Sequence, residues 1–163
     1  MHVKTCCFTG HRWARLEKAA NISQDELRWR TADAVRAAYA DGYRSFVTGL
    51  AQGFDLIAAE IVIAMKRREL TDIKVIGIAP YLSHEHAWSG FWRERCRWVC
   101  DNLDDRCVMH PSYFRGCELE RDRAMVDAST LVIAAYDGGS SGGTAYTVRY
   151  AEKKGIKIVN LLD

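Results

Sequence analysis

The sequence predicts an α/β fold, a Rossmann-like, mostly parallel six-stranded sheet with helices on both faces, and three observations predict it. Short β-branched or aromatic runs alternate with longer amphipathic stretches, and Gly or Asp usually marks the joints. The run Thr130-Leu131-Val132-Ile133-Ala134-Ala135-Tyr136 is apolar on both faces, as a central strand covered by helices on both sides must be. A chain of 163 residues, 48% hydrophobic and 27% charged, is long and apolar enough for one domain with a sizeable core. Strands that alternate with helices run parallel because each helix carries the chain back for a right-handed crossover.

The elements follow in order. Val3–Phe8 reads as the first strand. Ser23-Gln24-Asp25-Glu26 is a capping-box pattern that opens a helix with Leu27, Ala34, Val35 and Ala38 on one face, and Asp41-Gly42 stops it. Arg44–Thr48 is the second strand, Asp55–Arg68 the second helix and Ile73–Ala79 the third strand. Trp88, Trp92, Cys96, Val99 and Leu103 form the apolar stripe of a third helix, and Arg106–Met109 is the shortest strand. Helices over Glu118–Ala128 and Thr144–Lys154, the latter ended by Gly155, flank Thr130–Tyr136, and Ile156–Leu161 closes the sheet. Only two prolines, and no linker, low-complexity segment or internal repeat, predict a single domain over residues 1–163.

Composition narrows the function. Twenty-three Lys and Arg against twenty-one Asp and Glu leave a net charge of +2, too small a basic excess to support non-specific nucleic-acid binding by itself. No apolar run approaches the roughly 20 residues that span a bilayer. The N-terminus, Met1-His2-Val3-Lys4-Thr5-Cys6-Cys7-Phe8, has no signal-peptide layout and leads directly into strand-like sequence, so a cytoplasmic location with no membrane association is expected. The six cysteines are then expected to be reduced, buried thiols, with adjacent Cys6 and Cys7 on opposite faces of a strand.

Ligands of such sheets bind beyond the carboxyl ends of the strands, which puts weight on three unusual loops. They are Thr9-Gly10-His11-Arg12, Thr48-Gly49-Leu50-Ala51-Gln52-Gly53-Phe54-Asp55 and Asp137-Gly138-Gly139-Ser140-Ser141-Gly142-Gly143-Thr144. Glycine permits positive φ and close backbone approach, and a following helix N-terminus offers free N–H groups to an anion. A phosphate is the expected guest; tight strand-to-helix turns are the plainer alternative. Neither a Walker A pattern nor Gly-x-Gly-x-x-Gly occurs, so the phosphate is held by neither of those devices.

The segments Cys7–Arg12, Thr48–Glu60 and Tyr136–Thr147, with Tyr113, Cys117, Arg121, Arg123 and Met125-Val126-Asp127, resemble the YpsA-like family of the SLOG superfamily. The resemblance covers essentially the whole chain. It implies kinship with the DNA-processing protein DprA, whose glycine loop is similar to Thr48–Ala59, with the cytokinin-activating LOG hydrolases, and with nucleotide-sensing domains of antiviral systems. It also implies a pocket for a nucleotide-derived ligand. The LOG hydrolases use a Gly-Gly-x-Gly-Thr-x-x-Glu motif; set on Gly143-Thr144, the glutamate position holds Thr147, which supplies no carboxylate. Asp137, Asp55 and Glu60 remain near loop ends as other carboxylates, with helix capping as the alternative role for Asp55.

The leading expectation is therefore binding, for sensing or sequestration, of an ADP-ribose-type or cyclic ADP-ribose-type molecule without turnover. Gly10, Gly49, Gly53, Gly138, Gly139, Gly142, Gly143 and Thr144 would hold phosphate, with Thr9, Asp55, Asp137 and Ser140 on the same loops. Arg12 would supply charge, a surface ion pair being its alternative; His11 would contact phosphate, act as an acid or stabilise the turn. Arg121 and Arg123 could equally sit on a solvated face, and Trp88 either stacks on a base or packs in the core. The other readings are a LOG-like N-glycosidase and a DprA-like single-strand DNA binder using Lys66-Arg67-Arg68 and Arg93, Arg95 and Arg97. His84-x-His86 with Cys96 and Cys100 makes only a weak zinc pattern, so no metal and no cofactor are expected; a homo-oligomer is.

Overall fold

The computed structural model describes residues 3–163; Met1 and His2, which begin the N-terminal stretch read above, lie outside the described residues. Twelve elements follow in the order β1 (Lys4–Gly10), α1 (Trp13–Ala20), α2 (Gln24–Ala40), β2 (Tyr43–Thr48), α3 (Phe54–Arg68), β3 (Lys74–Ala79), α4 (Gly90–Asp101), β4 (Asp105–Val108), α5 (Cys117–Asp127), β5 (Leu131–Ala135), α6 (Gly143–Lys153) and β6 (Lys157–Asn160). The strands form one sheet in the order β4-β3-β2-β1-β5-β6, and every neighbouring pair is parallel. All five residues of β5 are buried, as its two-sided apolarity predicts.

The strand order decides where the helices go. From β1 to β4 each crossover steps in one direction, and from β4 to β6 the chain returns past β1 and steps in the other; with right-handed crossovers, that reversal changes the face on which helices lie. Cys6 and Phe8 of β1 pack with Leu16, Leu27, Phe54 and Val99, from α1 through α4, on one face. Cys7 of the same strand packs with Met125, Val126, Val148 and Ala151, from α5 and α6, on the other. Burial pushes the Cys6 thiol up and the Cys7 thiol up to about 12, so both remain protonated core side chains.

Three local features depart from the sequence reading. The short helix α1 has no counterpart in it: α1 buries Leu16 completely and ends at Asn21 in the left-handed conformation, φ 46°. Trp88 lies in a turn ahead of α4, half-buried against the core and edge-on to His84, and so does not head the helical stripe. Cys107 on the edge strand β4 is exposed and Cys100 is half-buried, which corrects the expectation that all six thiols are interior. Ser23 caps α2 as read, its Oγ accepting the Glu26 N–H at 3.0 Å.

Candidate functional site

β1 and β5 are the strands between which the winding reverses, and at such a point the loops leaving the two carboxyl ends diverge to opposite faces and leave a crevice. A cavity of ≈ 520 Å³ opens there. Its walls come from the starts of four helices: Arg12 and Arg15 at α1, Gln52 and Asp55 at α3, Gly116 and Glu118 at α5, and Gly142, Gly143 and Thr144 at α6. Each helix start carries unsatisfied N–H groups and about half a positive charge.

The four starts are not equivalent. Asp55 sits in the first turn of α3, and Glu118 and Glu120 in that of α5. The first turns of α1 and α6 contain no acidic residue, and neither has a side-chain cap. Arg12 is exposed and forms no ion pair among the described residues. The starts of α1 and α6 therefore bring no carboxylate of their own beside the exposed Arg12, although Asp122 Oδ2 lies 3.9 Å from where a Gly143 Cβ would stand, whereas the starts of α3 and α5 bring Asp55 and Glu118.

At the carboxylate end three buried groups interlock. Arg121 donates from Nη1 to the Gly49 carbonyl at 2.6 Å and from Nε to Asp122 Oδ1 at 2.8 Å. At 5% exposure its solvated-face alternative is excluded. Asp122 Oδ2 lies 3.2 Å from the Thr147 hydroxyl, which also reaches the Gly143 carbonyl at 2.7 Å; Thr147 is buried behind the cavity. Asp55 is 4% exposed and is held by main-chain donors, the Ala51 N–H at 3.4 Å and the Gly49 N–H. Burial pushes its carboxyl up to about 7, against the pull of Arg121 and with the push of Asp122.

The loop after β2 is held under strain. Leu50 is wholly buried at φ 59°, a region that costs a non-glycine residue about 1–3 kcal/mol. The Leu50 N–H reaches Thr48 Oγ1 at 3.3 Å, and the Leu50 carbonyl meets His84 Nε2 at 2.9 Å. That contact places a proton on Nε2, and burial lowers the ring's pKa. His84 thereby acts on loop geometry. Cys96 Sγ is 3.9 Å from the same nitrogen, and the described residues include no group of three or more His, Cys, Asp or Glu suited to a metal.

The third loop is anchored from α1. Arg15 forks onto Asp137, Nε to Oδ2 at 2.7 Å and Nη2 to Oδ1 at 3.1 Å, and reaches the Ser141 carbonyl at 3.3 Å. His11 Nε2 is 3.0 Å from Asp137 Oδ1. Burial lowers the His11 pKa, while Arg15 holds the Asp137 carboxyl well below the usual range, so a neutral imidazole faces an ionised carboxylate. Arg149 donates to the Ser140 carbonyl at 3.1 Å.

Thr9, Gly10, His11, Arg12, Asp55, Gly142, Gly143 and Thr144, all read from the sequence, come together around this cavity. Gly49, Gly53, Asp137, Gly138, Gly139 and Ser140 do not line it, and Gly138 and Ser140 are exposed. A Cβ on Gly53 would stand 2.6 Å from both the Arg12 Cα and the His11 carbonyl oxygen, and one on Gly49 2.8 Å from Asp55 Oδ2. One on Gly139 would stand 2.6 Å from Arg15 Nη2, so these glycines admit neighbouring protein groups. Glu60 is remote, paired with Arg95 and Arg28. Arg15 escaped the sequence reading with its helix. Asp122 escaped it too, although it adjoins Arg121 and precedes Thr147 by a full helix.

The family model YpsA, described as the YspA SLOG family, matches residues 6–160, so the chain belongs to that family. UPF0398 proteins are similar to it: one from Bacillus cereus strain B4264 is 27% identical over 121 residues, 71% of this chain and 63% of that protein. One from Bacillus thuringiensis strain Al Hakam is 26% identical over the same lengths. The chain thus spans 63% of the length of these relatives. Among solved structures, DNA processing protein A from Helicobacter pylori, described for its single-stranded DNA binding mode, superposes with a TM-score of 0.61 at 19% identity over 95% of this chain and 63% of that one. At that identity the likeness concerns the fold.

Proposed function

We propose that the protein binds a nucleotide-derived small molecule of the ADP-ribose or cyclic ADP-ribose type in the cavity between β1 and β5, and serves to sense or sequester it. The observation that carries this reading is the pair of helix starts, α1 and α6, that face the cavity with no acidic residue of their own and with Arg12 beside them. An anion placed there gains backbone donors, the dipole of two helices and a charge-assisted contact. Binding without turnover is the favoured form, because Thr147 occupies the position that the LOG motif gives to glutamate and is engaged with Gly143 and Asp122. Thermal unfolding across nucleotides, sugar nucleotides and cyclic derivatives tests this: ADP-ribose-type compounds should raise Tm by mass action. A flat response to every phosphate-bearing compound overturns it.

Single-stranded DNA binding is the second reading, prompted by the Helicobacter pylori neighbour. Three of the six basic residues offered for it are committed, Lys66 to Asp104, Arg67 to Asn102 and Arg95 to Glu60. We also propose a homo-oligomeric, cytoplasmic protein; β4 leaves all four of its residues exposed at a sheet edge, and no described helix is long and apolar enough to cross a membrane. Light scattering on the purified chain reads the assembly.

A further inference from the structure

We propose that Asp55 reads the sugar of the bound nucleotide, its carboxyl accepting hydrogen bonds from the vicinal hydroxyls of a ribose, so that the cavity takes ribonucleotides and discriminates against their deoxy counterparts. The inference rests on the nucleotide-binding reading and concerns the opposite end of the same cavity.

The two ends of the cavity can recognise different chemistry. Bare helix starts and Arg12 present only donors, and a phosphate consists only of acceptors; the α1 and α6 end suits the phosphate. The α3 and α5 end presents carboxylates, which repel phosphate and reward donors. A nucleotide carries donors in two places, the sugar hydroxyls and the base amino groups, and the sugar is adjacent to the phosphate.

Among the buried carboxylates of the cavity wall, Asp55 is the one with capacity left, Glu118 being exposed to water. Asp122 is taken by Arg121 and Thr147, whereas Asp55, buried at the cavity wall, is supplied only by main-chain N–H groups, that of Ala51 at 3.4 Å and that of Gly49. A buried acceptor so weakly supplied costs free energy until a donor reaches it. Gly49 keeps the position usable, because any side chain there would lie 2.8 Å from Asp55 Oδ2. The Arg121 guanidinium is committed to Gly49 and Asp122, so it steadies the local charge without competing for the ligand. A site built to bond a hydroxyl rejects an analogue lacking it, because its buried polar group is then left unpaired.

Calorimetric titration of the wild-type protein with AMP and ADP, and with their 2′-deoxy and 3′-deoxy forms, tests this. The ribo forms should bind at least about tenfold tighter than either deoxy form. In Asp55→Ala the difference should fall to about twofold while phosphate-dependent binding persists, with Asp55→Asn, which keeps one acceptor oxygen, in between. Equal wild-type affinity for ribo and deoxy forms overturns the sugar assignment and leaves the nucleotide reading standing. Absence of binding by every form overturns the sugar assignment, while the nucleotide reading is decided by the thermal-unfolding panel. The wild-type comparison decides even if a variant fails to fold.

Discussion

Asp55 illustrates how a single buried carboxyl couples stability to a site. Its folded pKa of about 7 stands above the ordinary value of about 3.9. Between those values the unfolded chain releases the proton and the folded chain keeps it, so this group's contribution to stability falls as pH rises from about 4 to about 7 and is level outside that window. The charged groups facing it are Arg121, which opposes the shift, and Asp122, which adds to it. Asp55→Asn should therefore gain stability relative to wild type progressively between pH 5 and pH 7, with little further change at pH 8, measured by urea unfolding. A pH-independent difference would refute the assignment. Arg12 carries a complementary expectation: with no ion pair to lose, Arg12→Ala should leave Tm within about 2 °C while weakening phosphate-dependent binding about tenfold.

At the scale of elements, the joints between strand and helix hold the site together. Gly53, at φ 88° and ψ −126°, lets the start of α3 pass against the backbone of residues 11–13, and its carbonyl accepts the first helical N–H, from Ile57. Gly53→Ala should cost more than about 2 kcal/mol in chemical denaturation, through strain and backbone overlap together, whatever ligand is present. Gly138, also at positive φ but with open space where a Cβ would stand, should tolerate alanine at about 1 kcal/mol. These joints were partly legible in sequence. Six strands and five of the six helices follow from alternation and capping, because Ser23, Gly42 and Gly155 act locally. Helix α1 did not, since its eight residues lie below the length at which an isolated helix is stable and its existence depends on Leu16 finding the core. With it went Arg15. The distinction between glycines packed against protein and glycines in the open was equally hidden, because Gly53 and Gly138 look alike in sequence, yet a Cβ on Gly53 would stand 2.6 Å from the Arg12 Cα and one on Gly138 would meet nothing within 4 Å.

For the molecule as a whole, the charge is nearly balanced in sum. A net charge of +2 is a small basic excess for driving salt-sensitive DNA association, and two of the candidate basic residues, Lys66 and Arg95, are held by Asp104 and Glu60. A labelled oligo-dT should accordingly show no binding at about 150 mM salt under conditions where ADP-ribose-type ligands raise Tm; tight binding that weakens steeply with salt would move the protein to the second reading. The reversal of winding between β1 and β5 has a different consequence. Because of it, the cavity draws on residues 9–15 near one end of the chain and on residues 113–144 far along it, with residues 51–55 between. No early portion of the polypeptide can assemble that cavity, since β5 must first enter the sheet beside β1. On the proposed reading, ligand affinity would therefore serve as a report on completed folding, and a bound nucleotide would act as a clasp that makes the last strands of the sheet harder to peel away from the first.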